Sequence, residues 1–463
     1  KVLHANLAAR PGSTGEYANR ISQIEFVREF FTSNTISTVI DSFFVFIFIG
    51  VIYLIGGWIA VIPLIALILA FLIGYIAQHR IGKRVAKAAN ESAQRQSLLV
   101  ESISTMETVK SLKAEGLLLR KWNELTKKSS ATSEEIKQLS SSAAIATAFV
   151  QQLVSIVLIV AGAFEFANGN ISSGAIIAIV MLSGRAVAPL SQITMTLARM
   201  RQATLSLRIL DTIMNLPDDR PAAAGFVSRP IASGRFQFED ASFTYPGSDH
   251  AVLKSLNLNV SAGERVGIIG KIGSGKTTIG RVLSGLYTPT AGRLLIDGID
   301  VRQYHPAIVR GSIFLVGQSA DLFSGTLKEN LLMAKQDATD DEIIAASKKA
   351  GVDDFAILHP RGYDLPVGER GSNLSGGQRQ AVALARMFLA KPKIVFLDEP
   401  TGSMDLASEK LLTRNFATAF DREVTLVIST HRYSLLELVD RPVVLDNGRI
   451  IADGPQQNAL DPL

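Results

Sequence analysis

Hydrophobic and polar positions fall into two regimes along this chain, and the change comes near residue 215. Residues 1 to about 35 are polar and mixed in charge, punctuated by Gly12 and Gly15. Within them, Glu16 to Phe31 has apolar residues at helical spacing, which predicts an amphipathic helix. From Ile36 to Ala77 the only formal charge is Asp41. At about 1.5 Å per residue this stretch is about twice what one bilayer crossing needs. Gly56-Gly57 interrupts it, so the pattern predicts a tight hairpin of two spanning helices, 36–55 and 58–77. Tyr53 and Trp58 flank the turn as interfacial aromatics do. A buried hairpin in a soluble core fits poorly, because too many consecutive positions are apolar for any face to meet water.

Lysine, arginine and glutamate then recur on a proline-free helical background over 78–142, which predicts two long polar helices with a break near Ala114–Gly116. Apolar runs return at 143–166 and 171–197. The turn between them, Ala167 to Asn170, carries no lysine or arginine, whereas 78–142 holds about a dozen. The positive-inside rule therefore predicts that this loop and residues 1–35 are cytoplasmic. Arg185 falls inside the last apolar run, with Pro189 a turn later. A charge there costs roughly 2.5–3.5 kcal/mol on insertion scales. Either it lines a bundle interior or a water-filled path, or the span starts earlier and Arg185 snorkels to its end.

The helical pattern fades near Asn215. Residues 216–231 contain three prolines and few large apolar side chains, as a linker does. From 232 to 463 short apolar runs alternate with helical patterns, which predicts a soluble α/β domain. Neither an internal repeat nor a low-complexity tract is evident.

The chemistry lies in this second half. Gly270, Lys271, Ile272, Gly273, Ser274, Gly275, Lys276, Thr277 and Thr278 fit G-x-x-x-x-G-K-[ST], the phosphate-binding loop. The apolar run Val266, Ile268, Ile269 predicts a buried strand before it, and Ile279 to Leu286 a helix after it. The glycines let backbone N–H groups turn inward around phosphate oxygens, and the helix N-terminus adds positive potential. Lys276 is placed to reach the β- and γ-phosphates and Thr277 to hold Mg²⁺. Lys393 to Pro400 predicts a buried strand with Asp398 and Glu399 at its C-terminal end, where open parallel sheets bind ligands. Asp398 suits a Mg²⁺-holding carboxylate, and Glu399 one that orients or deprotonates an attacking water. Leu374, Ser375, Gly376, Gly377 and Gln378 precede a helical run, with Ser375 as its cap and the glycines exposing N–H groups to an anion.

Composition agrees. Hydrophobic residues make up 47% of the 463, and mean hydropathy is +0.25, as membrane spans require. The absence of cysteine excludes disulfides, thiolate metal sites and cysteine nucleophiles. The six histidines lack metal-ligand spacing. A net charge of +5 with no basic–aromatic cluster points to a face toward anionic lipid, not to nucleic acid. The chain opens on Lys1 without a signal-peptide pattern, which reads as an excerpt of a longer protein.

On L-S-G-G-Q, lying between the phosphate loop and the D-E strand, residues 232–463 resemble the nucleotide-binding domain of ABC transporters. Further positions match residue by residue. Tyr245 is similar to the aromatic residue that stacks on adenine. Gln318 resembles the Q-loop glutamine that touches Mg²⁺, and Asp405 the D-loop aspartate. His431 resembles the switch histidine at the γ-phosphate. Val367 to Gly371 resembles a segment that exporters carry before the signature. The resemblance implies a homodimer in which Leu374–Gln378 serve the ATP held by the partner's phosphate loop. Since Glu399 is present, it also implies an active ATPase.

Residues 1–215 resemble an exporter-type transmembrane domain carrying four of its six spans, with the first two missing. Ala114–Gly116 and Thr14–Arg20 become candidate coupling elements. The expected fold is thus a membrane all-α domain joined to an α/β P-loop NTPase. The stretches S-T-G-E-Y-A-N-R-I, L-S-G-R-A-V-A-P-L and T-G-S-M-D are most similar to type I protein secretion ATPases. That likeness implies a multi-pass protein of the bacterial inner membrane with its ATPase domain in the cytoplasm. Its implied partners are a periplasmic adaptor, an outer-membrane channel and a secreted protein. The alternatives are an exporter of lipids or drugs with the same fold, or a soluble ABC ATPase, against which the four apolar spans argue.

Overall fold

The computed structural model describes residues 2–9, 14–32, 35–187, 189–220, 225–402, 404, 406–420 and 422–454. The chain forms two compact units. One comprises residues 1–2 and 10–216, and the other 3–9 and 217–463.

The first unit is helical: α1 (Thr14–Thr32), α2 (Thr35–Gly56), α3 (Val61–Ser104), α4 (Met106–Ser111), α5 (Glu115–Ala167), α6 (Ser173–Val187) and α7 (Pro189–Met214). Gly57 takes φ +56, which ends α2, and a short 3₁₀ turn over Gly57–Ala60 leads into α3. The two helices and the turn expected around Gly56-Gly57 form, but each helix finds its main packing partner elsewhere. Helix α2 packs on α6, and α3 packs on α5. The two polar helices expected over 78–142 are not separate elements. They are the continuations of α3 and α5 beyond their apolar halves, with α4 between them. Contacts step backward along α5 as the chain advances through the 3₁₀ turn and α3: Trp58 of the turn meets Glu165, Arg84 meets Glu135, and Arg95 lies over Trp122. The pair is therefore antiparallel along its whole length, and α3 alone is about 66 Å long at 1.5 Å per residue. That is about twice the hydrocarbon thickness.

Small residues make this packing close. Ala66, Ala70, Gly74 and Ala77 are buried along one face of α3. Large apolar side chains face outward on the same helices, including Phe46, Leu54 and Phe71. A water-facing surface does not carry such a band, and a lipid-facing one does. The amphipathic reading of α1 needs correction. Its less exposed positions are Arg20, Gln23, Val27 and Phe30, while Ile21, Ile24, Phe26 and Phe31 are exposed.

Among its described residues the second unit holds ten strands. An antiparallel sheet pairs β1 (Phe236–Thr244) with β2 (Ala251–Val260) and β4 (Ala291–Ile296), and β5 (Ile299–Asp300) closes its edge. The larger sheet runs in the order β10 (Arg449–Asp453), β9 (Arg441–Asp446), β3 (Arg265–Ile269), β8 (Thr425–Ser429), β7 (Ile394–Asp398), β6 (Ile313–Val316). All but β10 are parallel there. Strands β7 and β8 are buried at every position, which explains their apolar runs, Ile394–Leu397 and Leu426–Ile428. The helices are α8 (Lys276–Leu283), α9 (Pro306–Ser312), α10 (Leu327–Leu332), α11 (Asp340–Ala350), α12 (Asp353–Ala356), α13 (Gly376–Ala390), α14 (Leu406–Ala419) and α15 (Tyr433–Leu436). Helix α8 starts at Lys276, three residues before the sequence pattern places it. Capping boxes open α10, α11 and α13.

The proline-rich stretch is held at both ends. Pro217 O accepts from Asn6 N, and Val227 N donates to Gln303 O. Beyond it, the Asp297 carboxylate accepts from the backbone N–H groups of Ala232, Ser233 and Arg235. Burial raises the Asp297 pKa, but the hydrogen bond from the Ser233 hydroxyl and those from the three N–H groups outweigh it and hold the carboxyl below its usual range. Its stabilising effect is therefore present above the ordinary aspartate range and is lost as pH falls through the lowered value. Asp297→Ala is expected to lower stability by about 1–3 kcal/mol at neutral pH. The loss should shrink in acid, and thermal unfolding of the intact protein across pH measures both.

Candidate nucleotide-binding site

Strands β3, β8 and β7 are adjacent and parallel, with Ile268 opposite Ser429 and Ser429 opposite Asp398. Their C-terminal ends therefore lie level. From that edge the chain releases the Gly270–Thr278 loop after β3, His431 after β8, and Asp398-Glu399 at β7. Gln318 follows β6, whose Val316 pairs with Leu397. Segments drawn from residues 270 to 431 converge at one place, the crevice where such sheets take ligands.

Gly275 caps α8 at φ +109, a conformation that L side chains rarely adopt. A Cβ on Gly270 would stand 2.2 Å from the Leu445 carbonyl oxygen. Glycine at these positions lets the loop close on itself. The Lys276 ammonium turns back into the loop and donates to Gly270 O at 2.5 Å and Lys271 O at 3.2 Å. Burial pushes its pKa below the ordinary value, while the Glu399 and Asp398 charges pull it back up. Ser274 Oγ is buried with no hydrogen-bond partner among the described residues. A buried amine held by loop carbonyls, and an orphaned hydroxyl beside it, suit a loop that takes up an anion.

Thr277 Oγ1 donates to Asp398 Oδ2 at 2.6 Å, and Ser429 Oγ donates to Oδ1 at 2.7 Å. Asp398 is 2% exposed. One carboxylate with neighbouring hydroxyls is the sparse oxygen set that Mg²⁺ uses when phosphates complete its shell. Gln318 and Asp398 could both contribute to it. Glu399 has φ +50, outside the comfortable range for a residue with a side chain. Its carboxylate accepts from Gln318 Nε2 at 3.1 Å and lies 3.2 Å from His431 Nε2. His431 Nε2 is also 3.1 Å from Lys276 Nζ. Gln318, Glu399, His431 and Lys276 thus form one connected polar chain.

Tyr245 sits at the rim. Its hydroxyl is 3.1 Å from Thr278 Oγ1 and accepts from Arg281 Nη1 at 3.0 Å, and its ring meets Phe243 and Tyr287 edge-on. Ser375 caps α13: its Oγ accepts from Gln378 N at 3.2 Å while Gln378 Oε1 accepts from Ser375 N at 2.9 Å. The Gln378 amide is thereby used within its own chain. Leu374 is buried. Ser375, Gly376, Gly377 and Gln378 line a cavity of about 340 Å³ shared with Ala350 and Met404. Asp405 lies outside the described residues. Arg185 belongs to the other unit, in the last turn of α6, and is exposed.

Three residues of this site escape a reading of the sequence. Ser429 looks like an ordinary strand residue until register sets it beside Asp398. Arg281 looks like a helix-surface charge until its fork reaches Tyr245. Gln380 is 2% exposed and donates from Nε2 to Gly317 O at 3.2 Å, joining the signature helix to the residue before Gln318. A glutamine two places beyond the signature was the available hint.

A strand–loop–helix with a buried amine and an orphaned hydroxyl, a buried carboxylate two strands away in the same sheet and a capped L-S-G-G-Q helix together define a P-loop nucleotide-binding domain. The same chain carries the helices with the band of exposed apolar side chains. Residues 253–402 match the ABC transporter family and residues 8–190 the ABC transporter transmembrane region. The chain belongs to the ABC transporter family, and its fold is of the exporter type. It is 30% identical over 447 residues to the cyclolysin secretion/processing ATP-binding protein CyaB of Bordetella pertussis, covering 96% of this chain and 62% of that one. It is likewise 30% identical to the leukotoxin export ATP-binding protein LtxB of Aggregatibacter actinomycetemcomitans, covering 96% and 63%. The chain thus spans somewhat under two thirds of these relatives' length. A solved bacterial Atm1-family ABC exporter with ATP bound superposes with a TM-score of 0.86 at 27% identity, over 96% of this chain and 78% of that one.

ATP binding is what such a domain implies, and Lys276 gives the first check on it. Lys276→Ala removes the buried cation of the loop, whose other lysine, Lys271, is exposed. Affinity for a fluorescent ATP analogue is expected to fall at least about tenfold, equivalent to about 1.4 kcal/mol. Unchanged affinity would remove Lys276 from the phosphate site.

Proposed function

We propose that this protein hydrolyses ATP to drive the export of protein substrates across a bacterial inner membrane. In this reading residues 1–215 belong to the membrane domain, 216–231 to a linker and 232–463 to a cytoplasmic ATPase domain. The observation that supports the ATPase reading most is the polar chain Gln318–Glu399–His431–Lys276 beside the Thr277–Asp398–Ser429 group. It combines a phosphate loop with a carboxylate that is held between an amide and an imidazole.

Each residue has a role in this proposal. The N–H groups of Gly270–Thr278 and the Lys276 ammonium bind the β- and γ-phosphates. Tyr245 stacks on the adenine. Thr277, Asp398 and Gln318 hold Mg²⁺, which when bound offsets phosphate charge. Glu399 orients the attacking water and takes its proton, and the Gln318 amide fixes the carboxylate for that task. His431 stabilises charge developing at the γ-phosphate. Two copies close head to tail, so that Leu374–Gln378 of one face the nucleotide of the other and Asp405 lies at the seam. Closure moves coupling elements near Thr14–Arg20 and Ala114–Gly116, and with them the membrane helices. Arg185 lines the path through them.

Protein export is favoured over lipid or drug export by the relatives, which are named for secretion of a cyclolysin and export of a leukotoxin. A periplasmic adaptor and an outer-membrane channel complete the proposed route. Glu399→Gln is expected to keep ATP affinity while slowing turnover about 100-fold or more, because a positioned general base contributes at least that much. Brisk phosphate release by that variant would refute the role of Glu399. Cells lacking the gene are expected to retain a large secreted protein internally. Normal secretion alongside altered lipid or drug efflux would favour the alternative cargo.

A further inference from the structure

We propose that α3 carries a binding site for the headgroup of an anionic phospholipid, formed by His79, Arg80, Lys83 and Lys87. This inference depends on α3 spanning a membrane, and on neither the ATPase mechanism nor the cargo.

His79, Arg80, Lys83, Arg84 and Lys87 line a groove of about 420 Å³ on the flank of α3. Helical spacing puts His79, Arg80, Lys83 and Lys87 on one face. The opposite face is the packed one, with Ala70, Gly74, Ala77 and Ile81 buried. The basic face is thus turned away from the rest of the bundle. Arg84, at its margin, is engaged with Glu135 at 2.7 Å, and Lys87 lies 3.8 Å from Glu91. Arg80 and Lys83 are exposed and form no ion pair among the described residues. They hold two uncompensated charges about one turn apart, the spacing at which both can reach one phosphate group or two neighbouring ones.

The residues just before the cluster select the kind of anion. Phe71 is 60% exposed, Leu72 52%, Tyr75 61% and Ile76 47%. Leu72 and Ile76 lie on the basic face itself, and Tyr75 borders it. Along a single stripe, α3 therefore passes from exposed apolar side chains, through a tyrosine, to paired cations within three turns. Acyl chains, an interfacial ring and a phosphate layer occur in that order in a lipid leaflet. An acidic polypeptide or a nucleic acid would satisfy the cations, but would leave the adjoining apolar stripe facing water. The stripe also lies at the mouth of the charge-rich half of α3, where the positive-inside rule places the cytoplasmic leaflet.

The test uses the intact protein in detergent with a phosphatidylglycerol carrying a photoreactive headgroup. Phosphatidylcholine with the same reactive group serves as the control, and peptide mass spectrometry maps the adducts. Adducts from phosphatidylglycerol are expected on 72–87 of α3 and to exceed those from phosphatidylcholine. In Arg80→Gln/Lys83→Gln they should fall about 25-fold, at about fivefold per charge. Arg80→Lys/Lys83→Arg, which keeps both charges, should retain them. Binding of the fluorescent ATP analogue is expected to be unchanged in both double variants, which verifies folding independently of transport. Equal labelling of the two lipids, or of wild type and Arg80→Gln/Lys83→Gln, overturns the proposal. So does loss of labelling on adding inorganic phosphate or polyglutamate, which would identify a site for free anions or acidic chains. A cross-link from this stripe to a second copy of the chain, in place of a lipid adduct, also overturns it.

Discussion

The nucleotide-binding half depends on one constraint, the parallel register of β3, β8 and β7. Hydrogen bonding sets Ile268, Ser429 and Asp398 level, so three loops leave the sheet at the same height. Each strand is short, buried and dense in β-branched or large apolar residues, which leaves little freedom to slip. A one-residue slip of β7 would turn Asp398 to the other face and separate it from both Thr277 and Ser429. The burial that stabilises the sheet is thus also what positions the polar atoms at its edge. The Glu399 backbone, at positive φ, is held by its N–H on Ser429 O and by Gly402 N on its own carbonyl. The strained residue is fastened from both sides, which is how an unfavourable φ persists at a working site.

The membrane half obeys a different constraint. In hydrocarbon every backbone polar group must be satisfied within the chain, which selects helices. Close approach then comes from small side chains, as along the buried face of α3. Its long helices run past the hydrocarbon thickness without a break. Rigid rods of this kind carry displacement over their whole length, whereas separate membrane and cytoplasmic helices would need joints. Polar contacts join the pair α3 and α5 at successive levels, Trp58–Glu165 just before α3, Arg84–Glu135 midway and Arg95–Trp122 beyond.

Much of this was legible in the residues themselves. The phosphate loop, the D-E strand end and the L-S-G-G-Q cap are local patterns whose chemistry needs fixed spacing, and each took the local structure its pattern implied. The apolar runs were legible because a run of some 20 uncharged residues has few alternatives. Where a helix ended or which helix it packed on was less legible. Nothing in the residues after Ala77 marks a stop, so the change from apolar to charged looked like a boundary, although it is only a change of solvent along one helix. The apolar residues of α1 likewise suggested a buried stripe, yet the packed face holds Arg20 and Gln23, because neighbours and not hydropathy chose it.

The sequence by itself determined the kinds of element, the position of the nucleotide loop, and the division between lipid-facing and soluble halves. These follow from short-range rules of spacing, hydropathy and turn chemistry. Only the tertiary structure decided that Ser429 and Gln380 belong with the site, that Gln318 and His431 share one carboxylate, and that α3 turns a basic face away from its partners. Such facts depend on strand register and on the rotation of a helix about its axis. Both are set by contacts between residues far apart in the chain, so no local pattern records them.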